Sequence, residues 1–131
     1  MISRIVHTLN SFELDSFNKQ TIPLGVLDLS KQSNVAKCNF INKVNVDKMY
    51  AYVIDTRTSG GCQVIAYGNN GTTQVSGGVF NISGSSDIGI ATAVTPSGNA
   101  LFTPDQKIEL CVASAAAYGK AIFLGQCTVT P

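Results

Sequence analysis

The chain is broken into runs so short that strand signals dominate. From Cys38 onward apolar and polar residues alternate in short runs, and clusters of Gly, Asn, Ser or Pro close each run. Turn signals recur about every 8–12 residues, the spacing of an all-β sandwich or barrel. A period of two sends every second side chain to the same side of an extended backbone, so each run buries one face and wets the other. In CNFINKVNV (38–46), Cys38, Phe40, Val44 and Val46 share one face, while Asn39, Lys43 and Asn45, followed by Asp47, lie largely on the other.

The runs that follow have the same character. MYAYVID (49–55) is aromatic and β-branched, TRTSGG reads as a turn, and CQVIAYG (62–68) is expected to pair back onto it as a hairpin. Asn70-Gly71 is a strong type I′ turn signal, because both residues tolerate positive φ. TQVS and GVFNIS then read as short strands parted by Gly77 and Gly78. In DIGIATAVT (87–95), Ile88, Ile90, Thr92 and Val94 face one way and Gly89, Ala91 and Ala93 the other, leaving a side smooth enough for close contact. KAIFLGQCTV (120–129) turns inward either Ala121, Phe123, Cys127 and Val129 or Ile122 and Leu124.

Residues 103–119 allow two readings. Thr103 as N-cap, Pro104 at N1, Gln106 at N3 and Gly119 beyond the end describe a helix. Ile108, Leu110 and Val112 in alternation describe a strand, which is preferred because Leu110 falls off the helical stripe and the neighbouring runs are strands. The fold expected is therefore all-β, an antiparallel β-sandwich, with the jelly roll as one of its forms. Residues 1–35 differ, with broken apolar groups interrupted by Pro23 and Gly25, and read as an extended N-terminal arm or edge strands ahead of a sandwich over 36–131. At 131 residues the whole is one domain.

Charge narrows the function classes. Charged residues are only 13% of the chain, about half the usual share, and from Met49 to Gln106 only Asp55, Arg57, Asp87 and Asp105 carry charge. Gly, Ser, Thr and Asn fill about a third of it. A net charge of +1 is far from the strong basic balance that phosphate binding needs, so Lys31, Lys37, Lys43 and Lys48 read as a solvated edge and no nucleic acid is expected. A long uncharged stretch suits a surface lying against another molecule. MISRIVHTLNSF lacks a continuous apolar core and no run approaches a membrane span, so synthesis in a cytoplasm and no membrane partner are expected. Cys38, Cys62, Cys111 and Cys127 are far apart, with no CxxC, and read as small buried thiols.

Motifs for chemistry are wanting. YGNNGTTQVSGGVFNISGSS (67–86) has neither the Lys nor the strand-to-helix context of a phosphate loop. Asn70-Gly71-Thr72 and Asn81-Ile82-Ser83 match the glycan-acceptor triplet, which is common by chance in such a composition. His7, the single histidine, stands near the terminus without a nucleophile motif. Asp55-Thr56 begins like the D-T-G of aspartic proteases, but Arg57 replaces the glycine. No catalytic residue, metal or cofactor is expected.

The final stretch, DQKIELCVASAAAYGKAIFLGQCTVTP, sets two apolar strands around a small-residue loop, and in this character the chain resembles bacteriophage capsid decoration or cement proteins. The resemblance implies a virion structural protein made in a host cytoplasm that binds the major capsid protein or another virion protein, as a homo-oligomer with a trimer favoured. Ile5, Val6, Leu9, Phe12 and Leu14 would then be the partner-binding residues of the arm. The alternative is a carbohydrate-binding module or lectin-like domain, for which Tyr50, Tyr52, Tyr67 and Tyr118 are the stacking candidates.

Overall fold

The computed structural model describes residues 19–55, 61–68, 72–82, 91–115 and 119–129. Among the described residues nine strands run β1 (Lys19–Asp28), β2 (Val35–Asn39), β3 (Val44–Val53), β4 (Cys62–Gly68), β5 (Thr73–Ile82), β6 (Ala91–Val94), β7 (Leu101–Phe102), β8 (Lys107–Ser114) and β9 (Lys120–Val129). One sheet has the order β1-β9-β3-β6, with the short β7 also on β3, and the other has the order β2-β8-β4-β5. Every strand pairing is antiparallel. Strands from the two ends of the chain pair with each other, β1 with β9, β2 with β8, β3 with β6, and the tip of this long ribbon is the hairpin β4-β5. Rolling that ribbon around one core produces a jelly roll.

The core explains why the alternation holds. Val44, Val46, Met49, Ala51 and Val53 of β3 face Cys62, Val64 and Ala66 of β4 across the interior, and all are buried. Phe80 of β5 meets Phe123 of β9 edge to face, with ring centroids 5.1 Å apart and planes at 80°. No buried polar or charged side chain occurs among the described residues, so the core makes no demand for internal hydrogen bonding by side chains. On one side the sandwich is closed by β1 and β2. Gly25 has a φ of 142°, and a Cβ there would lie 2.7 Å from the Ala36 Cβ, so the edge strands approach as closely as they do only with glycine.

Several expectations are corrected by this winding. Cys38–Val46 is not one strand: the chain leaves β2 at Asn39 and enters β3 at Val44 in the opposite sheet, with Phe40 buried at the corner. β4 does not fold back on β3 as a hairpin; it pairs with β5 and β8. Both strands bury one face, and that face is satisfied equally well by packing across the core. Thr73–Ile82, which takes in TQVS and all of GVFNIS but its last residue, forms the single strand β5, with a bulge opposite Ala66 that contains Gly77 at a φ of 76°. The 103–119 ambiguity resolves to strand: Ile108, Leu110 and Val112 are fully buried in β8. In β9 it is Ala121, Phe123 and Cys127 that point inward, leaving Ile122 and Leu124 on the outer face. β4 and β5 pair up to Gly68 and Thr73, as a hairpin around Asn70-Gly71 requires, although those two turn residues lie outside the described ones.

All four cysteines are free thiols. Burial raises the pKa of Cys38 and pushes that of Cys127 up to about 12, with Asp47 and the Cys38 thiol adding to the effect on Cys127. A folded-state pKa above the unfolded value stabilises the protein fully below about pH 9 and progressively less as pH rises toward 12. The stability difference between the parent and Cys127→Ala, measured by urea unfolding, is therefore expected to narrow from pH 8 to pH 10.5. A constant difference would show that the thiol does not feel its burial.

Candidate functional site

The outer face of the first sheet is assembled by strand register. Residues paired across antiparallel strands point to the same side, so the pairings stack them in rows. One row is Val26, Ile122, Tyr52 and Ala91, and the next is Pro23, Leu124, Tyr50 and Ala93. A third row, Thr21, Gln126 and Lys48, turns polar. The sheet face thus grades from apolar to polar along β3.

Tyr50 and Tyr52 lie two residues apart on β3, so both rings project from the same face. Their ring centroids are 6.4 Å apart and their planes are tilted by 30°. Beside them the short side chains of Ala91 and Ala93 are exposed and leave the rings unscreened from that flank. The Lys48 ammonium stands 5.5 Å from the centre of the Tyr50 ring, within cation–π range. These features make a tilted aromatic platform with a cationic end.

A β-bulge interrupts β3 next to the platform. Val46 pairs with Cys127 and Lys48 with Gln126, which leaves Asp47 as the extra residue. Asp47 is held by two hydrogen bonds on its carboxylate: the Asn45 amide donates at 2.7 Å and the Thr128 hydroxyl donates to the other oxygen. At this point the edge of β3 is shared by two short strands, β7 opposite Val44 and Asn45 and β6 from Met49 onward. A cleft of about 620 Å³ opens in the interval, lined by Asn45, Val46, Asp47 and residues 96–101.

The loop lining this cleft is pinned to the other sheet. Ser97 N donates to Ser76 O at 2.7 Å, Ser76 N donates to Gly98 O at 2.9 Å, and the Asn99 amide donates to Gln74 O at 3.3 Å. Val46 N donates to Ala100 O at 2.8 Å and fixes the loop's other end to β3. Asn99 itself has a φ of 57°, a conformation that Asn tolerates better than most residues.

The residues singled out from sequence do not all converge. Tyr67 lies on the outer face of the second sheet, in the row Lys37, Glu109, Tyr67 and Gln74, and cannot join Tyr50 and Tyr52. Tyr118, His7 and the arm residues Ile5, Val6, Leu9, Phe12 and Leu14 lie outside the described residues. The lysines do not share a face: Lys37 sits on β2 with its ammonium 3.5 Å from Glu109, Lys43 is in the β2–β3 connection, and Lys48 is on the opposite sheet. Among the described residues no group of three or more His, Cys, Asp or Glu is placed to hold a metal ion. Asn45, Asp47, Ser97 and Asn99 were missed as site residues. For Ser97 and Asn99 the one signal is the turn sequence PSGN at 96–99, whose Asn suits a left-handed backbone, and for Asn45 and Asp47 there is none.

The fold defines the class: a jelly-roll β-sandwich with an aromatic patch on one outer face. No family model matches the sequence, and no curated protein is similar to it. Among solved structures, a family 6 carbohydrate-binding module shares the fold with a TM-score of 0.51 and 11% identity, over 86% of this chain and 83% of that one. The catalytic domain of a GH87 alpha-1,3-glucanase in complex with nigerose has a TM-score of 0.54 and 9% identity, over 87% of this chain. This chain spans only 29% of that glucanase chain. At such identities the likeness is one of fold.

Proposed function

We propose that this domain is a non-catalytic glycan-binding module that stacks sugar rings on the outer face of its first sheet. The observation that carries the reading is the Tyr50–Tyr52 pair, two tilted rings side by side on a rigid strand and bordered by alanines. The apolar C–H face of a pyranose packs against an aromatic ring while its rim of hydroxyls needs polar groups nearby, and the third row of the face supplies them. The fold shared with a carbohydrate-binding module supports the same reading without proving it, since one fold hosts many functions.

Screening on a polysaccharide and oligosaccharide array, followed by titration calorimetry on the best ligand, tests this. Tyr50→Ala and Tyr52→Ala are each expected to weaken binding about 10–30-fold, the effect of losing a central aromatic contact. Tyr67→Ala, on the other sheet, is expected to leave affinity unchanged. Loss in Tyr67→Ala with retention in Tyr50→Ala would move the site to the wrong side of the sandwich and end this reading.

A second reading has one specific observation in its favour. The apolar rows extend beyond the tyrosines to Pro23 and to Val26, which is 55% exposed, and this area suits a protein partner as well as a sugar. On that reading the domain attaches to an assembly such as a virion shell, itself as a homo-oligomer. Co-sedimentation with the particle, abolished by Val26→Asp, would support it over glycan binding.

A further inference from the structure

We infer that the cleft at the β3 bulge is a second sugar subsite, which takes the unit beyond the one stacked on Tyr50. The inference rests on the glycan-binding reading above and adds to it a location and a minimum ligand length. Three observations combine. The cleft lies on the same strand as the platform, since Asp47 in its lining stands three residues before Tyr50, roughly 10 Å along an extended strand. A single pyranose cannot touch both ends of that span, so the ligand that fills it is a disaccharide or longer.

The lining is suited to hydroxyl groups. Asn45, Asp47, Ser97 and Asn99 line it, with backbone from residues 96–100 between them; the Asn45 and Asn99 amides each spend one N–H, on Asp47 and Gln74 O respectively, which leaves their other N–H and their carbonyl oxygens for a ligand. Carboxylate and amide side chains can accept from and donate to the hydroxyls of one sugar, which gives orientation beyond what stacking provides. The lining includes one carboxylate, Asp47, and the Lys48 ammonium stands beside it on the way to the Tyr50 ring, so acceptors and a donor both face the span between cleft and platform.

The cleft is also preorganised. Its loop is bonded at Ser97 and Gly98 to Ser76, and at Ala100 to Val46, while Asp47 is oriented by Asn45 and Thr128. Little ordering is left for the ligand to impose, and that favours affinity. This matters because Asp47 is the bulged residue: without the extra residue in β3 the strand would keep strict alternation and turn either Asp47 or Lys48 away from this face.

The test is calorimetric titration of the intact protein with sugars of increasing length, glucose, nigerose and an α-1,3-linked tetrasaccharide, and in parallel glucose, cellobiose and cellotetraose. Affinity is expected to rise at least tenfold from monosaccharide to tetrasaccharide in the preferred series. Ser97→Ala is expected to reduce the tetrasaccharide affinity about 3–10-fold while leaving monosaccharide affinity and unfolding temperature unchanged, and Asn99→Gly to have the same effect on the sugars with a lower unfolding temperature, since it also removes the amide bond to Gln74 O. If the parent binds sugars but shows no length dependence, or if the cleft variants weaken all lengths equally, the second subsite is overturned while the platform stands. If the parent binds none of these sugars and the array is blank, both fall together.

Discussion

Phe123→Ala is expected to lower the unfolding free energy by about 3–5 kcal/mol, the range for emptying a fully buried aromatic site. Phe123 has no exposed surface and lies on β9, the strand that holds β1 and β3 together in the first sheet. Its ring contacts Phe80 of the second sheet edge to face at 5.1 Å, so the variant removes volume at the junction of the two layers. The lost contacts cannot be recovered by local collapse, because the backbones on both sides are fixed by ladders of strand pairing. Against a typical total of about 5–15 kcal/mol, this change leaves a marginal protein. A double-mutant cycle with Phe80→Ala, read from urea unfolding curves, is expected to show a coupling of about 0.5–1.5 kcal/mol beyond simple additivity. Single losses below about 1 kcal/mol would mean that the two rings do not pack at the centre of the core.

Gly77→Ala is expected to cost about 2–5 kcal/mol, although the position is exposed and the substitution adds one methyl group. Its φ of 76° lies where L residues other than glycine are strained, and a Cβ there would stand 2.7 Å from the Thr95 carbonyl oxygen. The oxygen belongs to the backbone and a Cβ has no torsion of its own, so neither can swing aside. The β5 bulge must shift away from residues 95–98, and the Ser76–Ser97 and Ser76–Gly98 hydrogen bonds would be loosened with it. Because the same bonds hold the cleft beside Asp47, the variant is expected to lose oligosaccharide affinity along with stability. Gly98→Ala is the control, since a Cβ at that position would meet only Ser76 atoms at ordinary contact distance of 3.4 Å or more. Equal thermal midpoints for the two variants would refute the strained-bulge account.

The uncharged stretch YGNNGTTQVSGGVFNISGSS shows how far local chemistry carries. Its Asn-Gly pair and its flanking alternation identified a hairpin, and the β4–β5 pairing runs up to that turn. Its Gly77-Gly78 was read as a gap between two strands. The pairing instead makes it a bulge within one strand, because the neighbour that needs the room is the loop after β6, some twenty residues further along the chain. Similarly, two tyrosines at i and i+2 in MYAYVID must share a face, and so the aromatic pair was legible. That Ala91 and Ala93 border it depended on β6 pairing with β3.

What the sequence by itself determined, then, was the state of each segment and the side it buries, since period-two alternation and turn chemistry act over a few residues. Only the tertiary structure decided which strands lie side by side and which lie face to face. Val44–Val53 and Cys62–Gly68 each bury one face in either arrangement, and nothing local distinguishes a hairpin from two strands packed across a core. The winding of the ribbon, a long-range choice made by the whole core, separated Tyr67 from Tyr50 and Tyr52 and brought Asp47 and Asn99 together at one cleft.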